Sequence, residues 1–162
     1  MNKTVSPFDK LFEFNKITLA LKKVIERNSW DQEAIMPTGA IEDRAEEQAS
    51  LMIIAHKRQT SGEFSDLVDS IEPEKLSKIE LRQFKLMKKD LTRALKVPTD
   101  LVGALAKETT LAHSVWVNAR KNNNFQQFLP HFSKVLELRK EEADAIRQGS
   151  SLSRYDALLQ DY

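Results

Sequence analysis

A chain of 162 residues with 25 Lys and Arg against 24 Asp and Glu has a net charge of +1, so no global field steers it toward nucleic acid or an acidic membrane. It holds no cysteine, which excludes a disulfide framework and any thiolate metal site. Four glycines and five prolines are too few for a many-turned β protein, and 41% apolar with 30% charged residues suits one soluble helical domain over residues 1–162.

The N-terminus, M-N-K-T-V-S-P-F-D-K, has no continuous apolar core. It reads as neither a signal peptide nor a membrane span. The missing cysteines suit a reducing cytoplasm, the expected location. Ser6-Pro7-Phe8-Asp9 predicts a helix start, with Ser6 as cap, Pro7 at the first helical position and Asp9 at the positive end of the dipole. Leu11, Phe14, Ile17, Leu21, Val24 and Ile25 recur every three or four residues. This first helix is expected to end near Asn28. A turn follows through Pro37 and Gly39, with Thr38 as the next cap. The second helix carries Ile41, Ala45, Gln48, Met52 and Ala55 on one face to about Ser61, and Gly62 is expected to be a left-handed stop.

Phe64, Leu67, Val68 and Ile71 predict a short helix. Pro73 is expected to open a fourth, with Leu76, Ile79, Phe84, Met87, Leu91 and Leu95 inward, ending at Pro98. Thr99 is expected to cap a fifth, with Leu101, Val102, Leu105, Thr109, Ala112, Trp116 and Ala119 inward. Asn122-Asn123-Asn124 breaks the pattern. Phe125 to Phe128 then reads as a single turn, and Pro130 as the first residue of a sixth helix, since proline cannot sit deep inside one. Phe132, Val135, Leu136, Ala143 and Ile146 are its inward residues. Gly149-Ser150-Ser151 stops it, and Ser153 to Asp156 resembles a capping box for a last short helix. No stretch has a strand period. The expected fold is all-α, an array of about five long helices plus short ones.

Candidate chemistry is sparse. A helical zinc site needs ligands at i and i+4, or a Glu-x-x-His pair. His56, His113 and His131 have no such partner, and no H-E-x-x-H occurs. Each reads as an ordinary surface or interface group. No residue is put forward as catalytic, cofactor-binding or metal-ligating. Glu42 with Glu46, and Asp43 with Glu47, are carboxylates four apart. They sit near a helix N-terminus, where acids are stabilising in any case. Lys78, Arg82, Lys85, Lys89, Arg93 and Lys96 form a basic stripe on the fourth helix. A stripe can track phosphates, but this one has few interleaved aromatics and reads as a solvated face.

The least ordinary stretch is N-S-W-D-Q-E-A-I-M-P-T-G-A-I-E-D-R-A-E-E-Q-A, from Asn28 to Ala49. It reads in two ways. Trp30, Asp31, Gln32 and Glu33 build a binding surface, or the turn is structural, held by burial of Trp30 and by Arg44 pairing an acid. The structural reading is preferred, and under it Trp30→Ala costs about 3–5 kcal/mol.

This stretch resembles the signature near the N-terminus of the carboxypeptidase Taq family of zinc-dependent metallocarboxypeptidases. Trp30, Asp31, Gln32, Glu33, Pro37, Gly39, Arg44, Glu47 and Gln48 hold the matching positions. Val97 to Arg120 is similar to a second family run, with Trp116, Ala119 and Arg120 in place. Asn124-Phe125 to Glu142 and Tyr155-Asp156-Ala157-Leu158-Leu159 follow in the family's order. The resemblance implies an N-terminal helical piece of an enzyme roughly three times as long as this domain-sized chain. It also implies that zinc or another divalent metal is bound by an H-E-x-x-H segment beyond the point matching Tyr162. In that motif two histidines on one helix face hold zinc, and the glutamate between them is the base for the metal-bound water. No position here matches it, so the chain alone is expected to be inactive, with peptide substrate bound only by a full-length relative. The chain stops inside a matching segment, as expected of a truncation. The alternative is a stand-alone helical module that binds a protein or nucleic acid.

Self-association is also expected. Phe125, Phe128 and Phe132 cluster beside Trp116, and Phe8 and Phe12 fall partly off the first helix's main stripe. Such apolar surface finds partners, and a two-fold homodimer is the commonest way to cover it.

Overall fold

A computed structural model describes residues 6–159. The elements in order are α1 (Pro7–Ala34), a 3-10 turn (Thr38–Ala40), α2 (Ile41–Gln59), α3 (Gly62–Asp69), a second 3-10 turn (Pro73–Lys75), α4 (Lys78–Ala94), α5 (Thr99–Lys121), α6 (Phe125–Arg147) and α7 (Arg154–Leu159). The array is all-α, with long helices at α1, α2, α4, α5 and α6. The tail that was expected to carry the last helix to the end of the chain, 160–162, lies outside the described residues.

Several boundaries follow from side-chain caps. Ser6 and Asp9 form a capping box at α1, and Ser77 and Glu80 form another at α4. The Ser77 hydrogen bonds hold the Glu80 carboxyl below its ordinary range. Ser153 and Asp156 bond reciprocally at α7, with Asp156 N–H to Ser153 Oγ at 3.1 Å and Ser153 N–H to Asp156 Oδ2 at 3.2 Å. Gly149, with φ +77°, follows the end of α6 in the left-handed region.

Other boundaries differ from the reading of the sequence. α1 does not stop near Asn28 but runs to Ala34. Nothing between Asn28 and Ala34 breaks a helix, and Gln32, Glu33 and Ala34 favour one. Gly62 is no left-handed stop. It opens α3, because the Ser61 side chain accepts the Phe64 N–H and acts as an N-cap. Pro73 forms only a 3-10 turn, since the Ser77 cap is the better start for α4. Thr38 lies within the first 3-10 turn rather than capping α2, and Pro98 rather than Thr99 occupies the N-cap position of α5.

Pro130 lies inside α6, not at its start. It is the sixth residue, so the one intrahelical bond it forgoes would have gone to the carbonyl of Gln126 near the helix entrance. Both residues are exposed, where water satisfies that carbonyl. The Asn124 side chain accepts the Gln127 N–H at 3.3 Å and fixes the true start.

Among the described residues the core has two apolar clusters. Phe8, Leu11 and Phe14 of α1 meet Phe64, Val68 and Ile71 in and just after α3, and Phe84, Met87 and Leu91 of α4. Val97, Leu101 and Leu105 meet Leu138, Ile146 and Ala157 at the other cluster. Between them α2 lies along α5, joined by small residues such as Ala45, Ala49 and Ala112. Gly103 permits this approach: a Cβ there would sit 2.7 Å from Ile53 Cδ1.

Some expected core residues are exposed, namely Ile17, Ile79, Leu95, Trp116, Phe132 and Leu136. On α1 the buried stripe is Phe8, Leu11, Phe14 and Thr18, which turns Ile17 outward and brings in Phe8, expected partly off the stripe. On α6 the buried side is set by Leu138, Ala143 and Ile146, and its N-terminal half keeps a second apolar face in solvent.

Candidate functional site

The unusual stretch lies where the C-terminal end of α1 crosses α2 and α5. Because α1 continues past Asn28, Asp31, Gln32 and Glu33 project from its last turns toward those helices. Arg44, in the first turns of α2, has a side chain only 12% exposed. Its Nη2 lies 2.6 Å from Asp31 Oδ2, and its Nη1 donates to the Asn28 carbonyl. Its Nε is 3.1 Å from Glu47 Oε2, close enough for ion pairing but out of line for a hydrogen bond. One guanidinium thus holds α1 against α2.

One turn further along α2, buried Gln48 donates from Nε2 to Ser29 Oγ at 3.0 Å and to the Ile25 carbonyl at 3.3 Å. It borders a cavity of about 270 Å³ lined also by Met52, Leu105, Thr109, Thr110, Arg139 and Glu142. On the α5 side, Gln32 Nε2 donates to the Thr110 carbonyl at 3.4 Å, and His113 Nε2 lies 3.2 Å from Glu33 Oε1. Asp31, Gln32, Glu33, Arg44 and Gln48 are therefore brought together as ties among three helices.

Trp30 is not part of this network. It is 63% exposed, which contradicts a turn held by tryptophan burial. The polar residues around it do the holding instead. Pro37 and Gly39 bracket the start of the first 3-10 turn, where Gly39 has a negative φ and open space around it. Trp116 and Arg120 lie further along α5, with the Trp116 ring 5.6 Å from the ring of His113. They line a cavity of about 290 Å³ with Asn123, Asn124, Phe125 and Phe128.

The histidines are scattered. His56 faces the α4–α5 connection, with Nε2 3.1 Å from the Ala94 carbonyl and Nδ1 3.1 Å from Thr99 Oγ1. A carbonyl only accepts, so Nε2 carries the proton and the threonine hydroxyl donates to Nδ1. His131 Nδ1 is 2.7 Å from Glu108 Oε1 and links α6 to α5. Among the described residues no three His, Asp or Glu side chains gather where they could hold a metal ion. Each histidine is engaged by a carboxylate, hydroxyl or carbonyl at a different junction, so the donor set does not fit zinc.

The acidic pairs of α2 are divided between tasks. Glu46 pairs with Lys107 of α5, which raises the lysine's pKa, and Glu47 lies beside Arg44. Glu42 and Asp43 occupy the first turn, where the dipole favours them. The basic stripe is likewise mixed. Lys78, Arg82 and Lys85 are exposed, but Arg93 donates to the Ala157 carbonyl at 3.0 Å and Lys96 to the Ile146 carbonyl at 2.9 Å. Its C-terminal end therefore serves to hold α6 and α7.

Apart from the pairing of Arg44 with an acid, ties between distant helices have no signal in the sequence. Arg58 lies with its guanidinium 3.8 Å over the Phe14 ring and donates to the Phe14 carbonyl at 3.3 Å. No spacing rule relates such residues, since each sits on a separate helix.

No described helix is long and apolar enough to cross a membrane. The chain is similar to thermostable carboxypeptidase 1 of Thermus thermophilus, at 27% identity over 146 residues, covering 86% of this chain and 28% of the relative. It is 28% identical over 134 residues to thermostable carboxypeptidase 1 of Pyrococcus furiosus, covering 82% and 26%. Its fold matches the crystal structure of BsuCP with a TM-score of 0.89 at 23% identity, over 96% of this chain and 31% of that one. Trypanosoma cruzi metallocarboxypeptidase 1 gives a TM-score of 0.74 at 24% identity, over 98% and 32%. The chain thus spans less than a third of the length of these relatives. The model of the carboxypeptidase Taq (M32) metallopeptidase family matches residues 10–162, and the chain belongs to that family.

Proposed function

We propose that this chain is an N-terminal helical part of an M32 metallocarboxypeptidase, and that it walls a substrate groove rather than carrying out hydrolysis. The parent reaction is release of C-terminal residues from peptides by zinc-bound water. The observation that carries this reading is the fit of nearly the whole chain onto about a third of a longer family member, 96% against 31% for BsuCP. The polar network of Asp31, Gln32, Glu33, Arg44 and Gln48 then has a mechanical role: it holds α1, α2 and α5 at fixed angles so that the faces they present stay in place. Zinc has no ligand set among the described residues, so no catalytic step is assigned to them. Lack of cysteine suits a reducing compartment such as the cytoplasm.

The test is the coding sequence beyond the Tyr162 codon. An open frame that continues and encodes H-E-x-x-H is the expected result. A stop codon in the native gene, with no catalytic segment encoded elsewhere, contradicts it and favours a helical module with a binding role of its own.

A further inference from the structure

Lys85, Lys88, Lys89 and Arg93 of α4, with Lys96 just beyond it, line a groove of about 510 Å³ that Ser150 and Leu152 of the α6–α7 connection also border. No carboxylate lines it. A solvated face normally mixes its charges, and this chain has 24 acids to match its 25 Lys and Arg. The acids closest in sequence are engaged elsewhere. Asp90 lines a different cavity with His56 and Gln59, and Asp144 is held by Arg147 and Arg154. The groove is also partly preorganised. Lys96 is fixed by its bond to the Ile146 carbonyl and Arg93 by its bond to the Ala157 carbonyl. An ammonium has three donors, and the Ile146 carbonyl takes one of those of Lys96.

We propose that this groove binds a short linear chain of phosphoryl groups, as in inorganic oligophosphates or the polyphosphate arm of a nucleotide. The cations between residues 85 and 96 are spread over about 16 Å of chain at the helical rise, which suits a linear anion better than a single ion. No aromatic side chain lines the groove, so a nucleobase has no stacking platform there. The α4 wall satisfies its backbone bonds internally, so an acidic peptide finds no strand edge to pair with. Lysines meet phosphates as point charges and need no fixed fork geometry.

Calorimetric titration of the full chain with inorganic tripolyphosphate tests this, at about 0.01 M ionic strength where the screening length is about 30 Å. One-to-one binding is expected, with amide NMR shifts confined to 85–96 and 148–152. Lys85→Gln combined with Lys88→Gln should weaken it about tenfold or more, the scale of losing hydrogen bonds to a charged group. Lys121→Gln with Lys134→Gln makes the same change in net charge outside the groove and should leave binding unchanged. Orthophosphate should bind far more weakly, and ATP no more tightly than tripolyphosphate. Absence of tripolyphosphate binding overturns the proposal. Equal losses in the two double variants overturn it too, because binding then follows net charge and not the groove. Shifts centred elsewhere, orthophosphate as tight as tripolyphosphate, or tighter binding of ATP or of duplex DNA would each contradict a site that reads a phosphate chain alone.

Discussion

The two ends of α1 are held by different physics. At its N-terminal end Phe8, Leu11 and Phe14 are buried among α3 and α4 side chains, and the stabilisation is the removal of apolar surface from water. At its C-terminal end Asp31, Gln32 and Glu33 are held by single polar contacts to α2 and α5, and Trp30 lies outside. The apolar end resists separation through many weak contacts. The polar end fixes angle and register through a few directional ones. A helix that must present a defined surface at one end needs the second kind there.

The sharpest difference should appear on removing one side chain from each end. Phe64, 2% exposed and stacked on Phe14 at 5.3 Å, anchors the apolar end. Phe64→Ala should destabilise by about 3–5 kcal/mol in denaturant unfolding, as for a large aromatic leaving a core. At the polar end Arg44→Ala removes the Asp31 ion pair and the bond to the Asn28 carbonyl. A loss of about 1.5–3 kcal/mol is expected, the scale of hydrogen bonds to charged groups. Backbone exchange should quicken at the end of α1 and not around Phe64. Equal quickening at both ends would show that they are not independent.

Trp30→Ala separates the two readings of the signature. An exposed indole should cost within about 0.5 kcal/mol, well below the 3–5 kcal/mol expected of a buried one. A large drop in melting temperature would return Trp30 to the core.

The smallest effect concerns acid. Hydrogen bonds from Arg154, then Arg147, hold the Asp144 carboxyl well below the usual carboxylate range. A depressed folded-state pKa stabilises above the pKa of an unfolded aspartate, and that stabilisation is lost as pH falls through the folded value. The group is exposed, so the effect is local. Amide exchange in α7 should quicken only in strong acid, and Asp144→Asn should show the quicker exchange already at neutral pH. Unchanged exchange in the variant would show that α7 is held without this pair.

These contrasts explain what could be read from the chain. The caps at Ser6 and Ser153, the all-α class and the core at Phe14, Phe84, Met87 and Leu91 follow from local spacing, which a sequence carries directly. Spacing puts Gln48 on the inward face of α2, and it is buried there. Arg44 was expected to pair an acid, and Asp31 is that acid. The remainder depends on how helices sit against each other. Ile17 and Thr18 are adjacent, and a rotation of one residue decides which is buried. Pro130 reads as a start because local spacing does not reveal the helix entrance, which the Asn124 side chain caps. His113 with Glu33, and His131 with Glu108, are pairs only because α5 lies beside α1 and α6.

Zinc content and peptidase activity of the purified chain test the central claim most directly. Elemental analysis after equilibration with zinc, with a C-terminal release assay on the same sample, should give no stoichiometric metal and no hydrolysis. One tightly held zinc per chain together with released C-terminal residues would contradict the account and place a catalytic centre within these helices.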